Sequence, residues 1–167
     1  MNILIYAIAM IVSFLGLLVG IILSDIAIEE INRVSIYLKY LNIILVPIII
    51  GVATYDINKL YSIIFSGITL GILFILRNKY NDAWAYSCIG ALLYVSTLSN
   101  TTLEISILIF IYGISIATIN ASSHFDKKIN EQNTISENIS LAKKILIKYS
   151  YYLLVGVVFY FTFSYLL

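Results

Sequence analysis

Four charged side chains follow the first long apolar run of this sequence: Asp25, Glu29, Glu30 and Arg33, called the charged cluster below. On a helix, Asp25 and Glu29 share one face, and Glu29 precedes Arg33 by the four residues that favour an ion pair. Such carboxylates can ligate a divalent cation or act as acid and base at a membrane surface. Charge runs more often mark a solvated face. We therefore favour a solvated linker helix, and we treat the four residues as a possible interaction cluster.

The run Glu29-Glu30-Ile31-Asn32-Arg33 resembles the paired-glutamate-and-arginine motif of the membrane-embedded prenyl-protein protease and bacteriocin-immunity family. That family has three residues between the glutamate pair and the arginine, whereas this run has two. The family also uses histidines on later helices, and the single histidine here, His124, has no second histidine to complete such a pattern. The motif therefore does not assign the chain to this family.

Other sequence motifs give no indication of catalysis. The chain has no GxSxG, HExxH, Walker A or dinucleotide-binding pattern. Its single cysteine, Cys88, excludes an intrachain disulfide and a CxxC zinc motif. We predict no catalytic residue, no metal and no cofactor. The net charge of +1 gives no reason to expect a nucleic-acid partner.

The composition is that of a membrane protein, with 61% hydrophobic and 11% charged residues. A soluble domain has about 25% charged residues, so this chain cannot cover its surface with polar groups, and its apolar side chains must face lipid. Six apolar runs approach or reach the roughly 17–25 residues that cross a bilayer. They are 3–23, 37–55, 60–76, 83–98, 103–121 and 149–167. The sequence predicts an all-α fold, a single transmembrane domain over residues 1–167 with six transmembrane helices.

The distribution of basic residues predicts the orientation. Lys59 lies on one side of the predicted membrane, and the other nine Lys and Arg residues lie on the opposite side. Both termini are therefore expected outside, with the long loop 122–148 in the cytoplasm. An inner aromatic belt is expected from the following residues: Tyr37, Tyr40, Tyr80, Trp84, Tyr86, Tyr149, Tyr151 and Tyr152. The short loops favour a prokaryotic plasma membrane.

Within the loop 122–148, a helix is predicted to begin near Thr134. The segment Thr134-Ile135-Ser136-Glu137 matches a capping box. The apolar residues that follow share one helical stripe: Ile135, Ile139, Ala142, Leu146 and Tyr149. We expect an amphipathic segment on the membrane surface that continues into the sixth span.

The predicted spans have no ionisable residue deep in the membrane. Lys39, Asp56 and Glu104 lie near span ends, where their side chains can reach the headgroups. Because buried ionisable groups usually mark ion and proton pathways, their absence argues against a proton-coupled carrier and against a membrane-embedded aspartyl protease.

Small residues are expected to hold the helices together. Gly16 and Gly20 form one small-xxx-small pair, and Gly67 and Gly71 form another. Both pairs could mediate self-association, but with six helices we favour packing inside one chain. Pro47, the single proline, is expected to kink the second span.

Three functions remain open. The first is a non-catalytic subunit or scaffold that contacts the bilayer and another membrane or cytoplasmic protein through loops 24–36 and 122–148. The second is a small transporter, channel or substrate-binding component for a neutral solute. Its pocket would use Tyr94, Tyr112, Tyr160, Ser115 and Asn120. The third is a lipid-modifying enzyme at the inner face, built around the charged cluster.

Overall fold

The computed structural model describes residues 3–26, 28–76, 81–99, 101–125 and 135–164. These residues form helices and short connections without a strand, so the predicted all-α fold is confirmed. The helices are α1 Ile3–Ile26, α2 Ile28–Thr54, α3 Lys59–Ile75, α4 Asp82–Leu98, α5 Thr102–Phe125, α6 Ile135–Tyr149 and α7 Tyr151–Ser164.

Four helical stretches among the described residues are long and apolar enough to cross a membrane. They are Ile3–Ile26, Arg33–Thr54, Thr102–Ser122 and Ile139–Thr162. Helix α3 is apolar but shorter, with 17 residues, and α4 also has 17 residues. The helices are those of a membrane protein. The crossing of the membrane by α3 and α4, and the placement of both termini outside, stay predictions.

The last apolar stretch begins earlier than the predicted span 149–167. It runs from Ile139 to Thr162 and includes the junction at Ser150 between α6 and α7. The C-terminal part of the predicted stripe of α6 faces the bundle, because Tyr149 is buried and Ala142 and Leu146 pack against the core, whereas Ile139 is 64% exposed. Helix α6 begins directly after Thr134, where the capping box predicts its start. Residues 126–134 and 165–167 lie outside the described residues.

The most extensive helix contact joins α1 to α5. A Cβ on Gly16 would collide with the carbonyl oxygen of Phe110, and a Cβ on Gly20 would lie 2.8 Å from that of Ala117. From the other side, a Cβ on Gly113 would lie 3.4 Å from the carbonyl carbon of Gly16. Glycine is therefore required on α1 for the backbones to approach this closely, and a Cβ at Gly113 on α5 would be tightly placed.

Helix α7 packs against α4 and α1 through a second pair of glycines. A Cβ on Gly90 would lie 2.7 Å from the carbonyl oxygen of Tyr152, and a Cβ on Gly156 would lie 2.9 Å from the sulfur of Met10. The Tyr6 hydroxyl donates to the Gly156 carbonyl at 2.9 Å. The two glycines thus allow α7 to lie close to α4 and α1.

Three of the tyrosines expected in the inner aromatic belt, Tyr86, Tyr149 and Tyr152, are buried between helices. The ring centroid of Tyr86 lies 4.7 Å from that of Tyr152 and 5.6 Å from that of Tyr149, and all three side chains are buried. The Tyr86 hydroxyl donates to the Ser13 carbonyl at 3.3 Å, and the hydroxyls of Ser13 and Tyr152 lie 2.6 Å apart. Because the hydroxyls find partners inside the bundle, these tyrosines do not need the headgroup region.

The change Gly16→Ala is expected to lower the free energy of unfolding by about 1–3 kcal/mol, because the added methyl group meets the backbone of Phe110. Gly67→Ala is the matched control, since a Cβ there has nothing within 4 Å. Alanine is also the better helix former. Thermal unfolding in detergent, followed by circular dichroism, measures both changes. Equal losses of stability would contradict the described α1–α5 contact.

Candidate functional site

The charged cluster lies where α1 meets α2. Asp25 belongs to α1, and Glu30 and Arg33 belong to α2, and all three side chains are exposed. Glu29 also lies in α2, but its side chain is outside the described residues. Among the described residues, no group of three His, Cys, Asp or Glu side chains could hold a metal ion. The described members of the cluster thus form an exposed, charged surface.

Helix α3 is attached to α2 by two hydroxyl groups. Ser62 Oγ donates to the Gly51 carbonyl at 2.6 Å, and Ser66 Oγ donates to the Pro47 carbonyl at 3.0 Å. Donors and acceptors are both four residues apart, so one turn of α3 matches one turn of α2. Helix α2 continues through Pro47 from Ile28 to Thr54.

The face of α3 that carries Gly67 and Gly71 has no helix against it in the described part of the chain. A Cβ on either glycine would have nothing within 4 Å. Ser62 is the one buried residue of α3, and Ile63 is 70% exposed. We call Gly67, Gly71 and the adjoining Ile64 the α3 ridge. No described residue packs against Gly67 or Gly71 on this side of α3, whereas Gly16 and Gly20 pack against α5.

An apolar groove lies between α2 and α3, beside the α3 ridge. Its volume is about 550 Å³. Ile48, Gly51 and Val52 line it from α2, and Ile63 and Gly67 line it from α3. Because Gly67 belongs to both features, the groove and the ridge form one continuous surface.

The residues suggested for a solute pocket pack against neighbouring helices or form hydrogen bonds with them. Ser115 Oγ donates to the Leu38 carbonyl at 3.2 Å, and Asn120 Nδ2 donates to the Tyr149 hydroxyl at 3.0 Å. Tyr94 and Tyr112 are buried, and Tyr160 stacks on Tyr6 with 4.8 Å between ring centroids. None of the five suggested residues lines the α2–α3 groove.

A second cleft, which the sequence did not predict, lies between α4 and the α6–α7 junction. Its volume is about 490 Å³. The lining residues are Asn81, Ala83, Trp84, Ser87, Lys148, Tyr151 and Val155. Lys148 lies within the apolar stretch Ile139–Thr162, although the sequence placed it in the cytoplasmic loop. The sequence did indicate this placement in part, since the amphipathic segment was expected to continue into the sixth span.

Lys148 lines this cleft, and its charge acts on the carboxyl of Asp82. The Lys148 ammonium donates to Asn120 Oδ1 at 3.3 Å and lies 5.1 Å from the centroid of the Tyr149 ring. Asp82 directly precedes the predicted span 83–98. Burial raises the pKa of its carboxyl, and the attraction of Lys148 and Lys39 offsets part of that rise.

Asn42 is a further polar residue that the sequence did not single out. Its side chain is 2% exposed, and its Oδ1 has no hydrogen-bond partner among the described residues. An unpaired buried acceptor costs about 1–3 kcal/mol. It is the one amide side chain in the predicted span 37–55, which could have drawn attention to it.

Comparisons of the chain with protein-family models, with curated proteins and with solved structures give no match. The function therefore has to be argued from the residues of this chain.

The double change Ser62→Ala with Ser66→Ala is expected to loosen α3 from α2, because both hydrogen bonds that join the helices are lost. Interhelical hydrogen bonds in membrane proteins average about 0.6 kcal/mol each, so the combined loss should be about 1 kcal/mol. Faster hydrogen exchange of α3 backbone amides in detergent would report it.

Thr69→Ala is the matched control, because the Thr69 hydroxyl bonds within α3 to the Phe65 carbonyl at 2.7 Å. If this change accelerates exchange as much as the double serine change, the serine bonds are not what holds α3.

Proposed function

We propose that this chain is a non-catalytic subunit of a membrane complex, and that it binds a transmembrane helix of a different protein along the α3 ridge. The observation that supports this function most is the open space beside Gly67 and Gly71. Among the described helices, α3 packs substantially against α2 alone, so most of its surface is left for lipid or for a partner.

Gly16 and Gly20 show what a glycine pair does in this chain when another helix packs against it. Gly16 and Gly20 have the spacing of Gly67 and Gly71, and the backbone of α5 lies against them. Glycine inside a helix costs about 0.5–1 kcal/mol relative to alanine. At Gly16 and Gly20, close backbone approach offsets this cost. A partner helix would supply the corresponding contact at Gly67 and Gly71.

The α2–α3 groove suits the side chains of such a partner. It has an apolar lining of Ile48, Val52 and Ile63, and its volume of about 550 Å³ holds several aliphatic side chains. A partner helix with a small residue over Gly67 would place its neighbouring large side chains in the groove. Shape and polarity thus favour an apolar helix over a polar loop as the bound element.

A soluble part of the complex would contact the charged cluster. Asp25, Glu30 and Arg33 are exposed at one end of the bundle, and the basic-residue distribution predicts that this end faces the cytoplasm. We accordingly propose the plasma membrane of a prokaryote as the location and a cytoplasmic domain as the second contact of this subunit.

A photoreactive amino acid in place of Ile64 is expected to cross-link to a different membrane protein in native membranes, because Ile64 lies one turn before Gly67 on the ridge. The same amino acid in place of Ile72 is the control. Ile72 lies about 100° around the helix from Gly71, and the two isoleucines have similar exposure, 45% and 49%. Mass spectrometry identifies the adduct.

The double change Gly67→Leu with Gly71→Leu should remove the Ile64 adduct, because the added side chains keep a partner helix away from the ridge. Ile72→Phe adds bulk elsewhere on α3 and should leave the adduct unchanged. Unfolding temperatures of the purified variants verify that the fold survives. An adduct between two copies of the chain, or equal adducts from both positions, would overturn the proposed function.

The double change Asp25→Lys with Glu30→Lys reverses two charges of the charged cluster. We expect several-fold less of the complex's soluble proteins to be recovered with the chain, while the cross-link from position 64 to the membrane partner persists. Opposite charges at an interface mainly set orientation and association rate. Quantitative mass spectrometry at low and high salt measures the recovery. Unchanged recovery at low salt would exclude the charged cluster from the contact.

A further inference from the structure

Lys148 lies inside an apolar stretch that is long enough to cross a membrane. The stretch Ile139–Thr162 has 24 residues, and Lys148 is well removed from both of its ends. An ionisable side chain in such a position is costly to hold and usually has a function. The Lys148 side chain is exposed on the helix surface, so an anion outside the bundle can reach its ammonium.

The described interactions compensate Lys148 only in part. Its ammonium has three N–H donors, and one is directed to Asn120 Oδ1 at 3.3 Å. The charge of Lys148 attracts the Asp82 carboxyl, which the charge of Lys39 also attracts. Among the described residues the Lys148 ammonium has one hydrogen bond, to a neutral amide, so its surroundings are suited to an additional anion.

The cleft beside Lys148 has the character of a site for a lipid. Ala83 and Ser87, one turn apart on α4, and Val155 on α7 give it a small and apolar wall. Trp84 and Tyr151, which are 73% and 63% exposed, lie at the cleft and are the residue types that occupy the headgroup level. Asn81 Oδ1 accepts from the Ala83 amide, so its amide nitrogen remains as a further donor.

We propose that this cleft binds an anionic phospholipid, with the lipid phosphate at Lys148 and one acyl chain along the wall formed by Ala83, Ser87 and Val155. Basic pockets between membrane helices are typical sites for acidic headgroups. This site is separate from the α3 ridge and does not depend on the proposed partner helix. A free phosphate ion offers the same charge, but it would leave the apolar wall of the cleft uncovered.

The single tryptophan of the chain makes the proposal directly measurable, because Trp84 lines the cleft. The full-length protein is placed in bilayers of phosphatidylcholine that contain increasing amounts of phosphatidylglycerol with brominated acyl chains, which quench tryptophan fluorescence. The reverse mixture, with brominated phosphatidylcholine, gives the relative affinity. We expect a preference of about fivefold for phosphatidylglycerol, the size of one lysine–lipid attraction.

The change Lys148→Gln should remove this preference, and Lys148→Arg should retain it. Lys144→Gln is the matched control, because Lys144 lies one turn earlier on α6, is exposed and does not line the cleft. Circular dichroism verifies that each variant is folded. If Lys148→Gln does not fold, loss of the preference with Lys148→Arg would overturn the proposal, and its retention would support it.

Other outcomes would overturn the proposal. One is equal quenching by both lipids in the unmodified protein. A second is an equal loss of preference with Lys144→Gln, which would show that surface charge alone attracts the lipid. A third is relief of the quenching by millimolar inorganic phosphate, which would assign the site to a free anion instead of a lipid.

Discussion

The close approach of α1 and α5 is the constraint on which the bundle depends. Lipid gives little hydrophobic drive for two apolar helices to associate, so contact between their backbones must supply the attraction. Gly16, Gly20 and Gly113 provide it, because a Cβ at Gly16 or Gly20 would collide with the opposite helix and one at Gly113 would be tightly placed. The other helices of the core, α4 and α7, are then packed against this pair.

Glycine also exposes backbone carbonyls to hydroxyl donors of neighbouring helices. Thr118 donates to Gly20 at 3.1 Å, Ser62 to Gly51 at 2.6 Å and Tyr6 to Gly156 at 2.9 Å. Each bond joins two helices and satisfies a hydroxyl that would be costly to leave unpaired in the membrane. The glycines thus act twice, through close packing and through accessible acceptors. Ser115 and the tyrosines that were suggested for a solute pocket also belong to the packing between helices.

The sequence predicted the helices and the importance of small residues, because both follow from local hydrophobicity and residue size. It could not separate Gly16 and Gly20 from Gly67 and Gly71, since the two pairs have identical spacing and differ only in what lies opposite. Lys148 was assigned to a loop for a similar reason. Its neighbours Lys143 and Lys144 resemble a soluble segment, and the burial of Tyr149 against the bundle is a tertiary property.

The helices are packed unevenly, so the residues that stabilise the fold lie apart from the proposed partner surface. Helices α1, α4, α5 and α7 share buried tyrosines and covered glycines, so substitutions there act first on the fold. Helix α3 is joined to α2 by Ser62 and Ser66 and exposes its other faces. In a bilayer, an exposed apolar helix gains little by folding back onto its own bundle, so its outer surface can keep the small residues that a second backbone needs. The proposed partner surface therefore lies where the bundle itself is least packed.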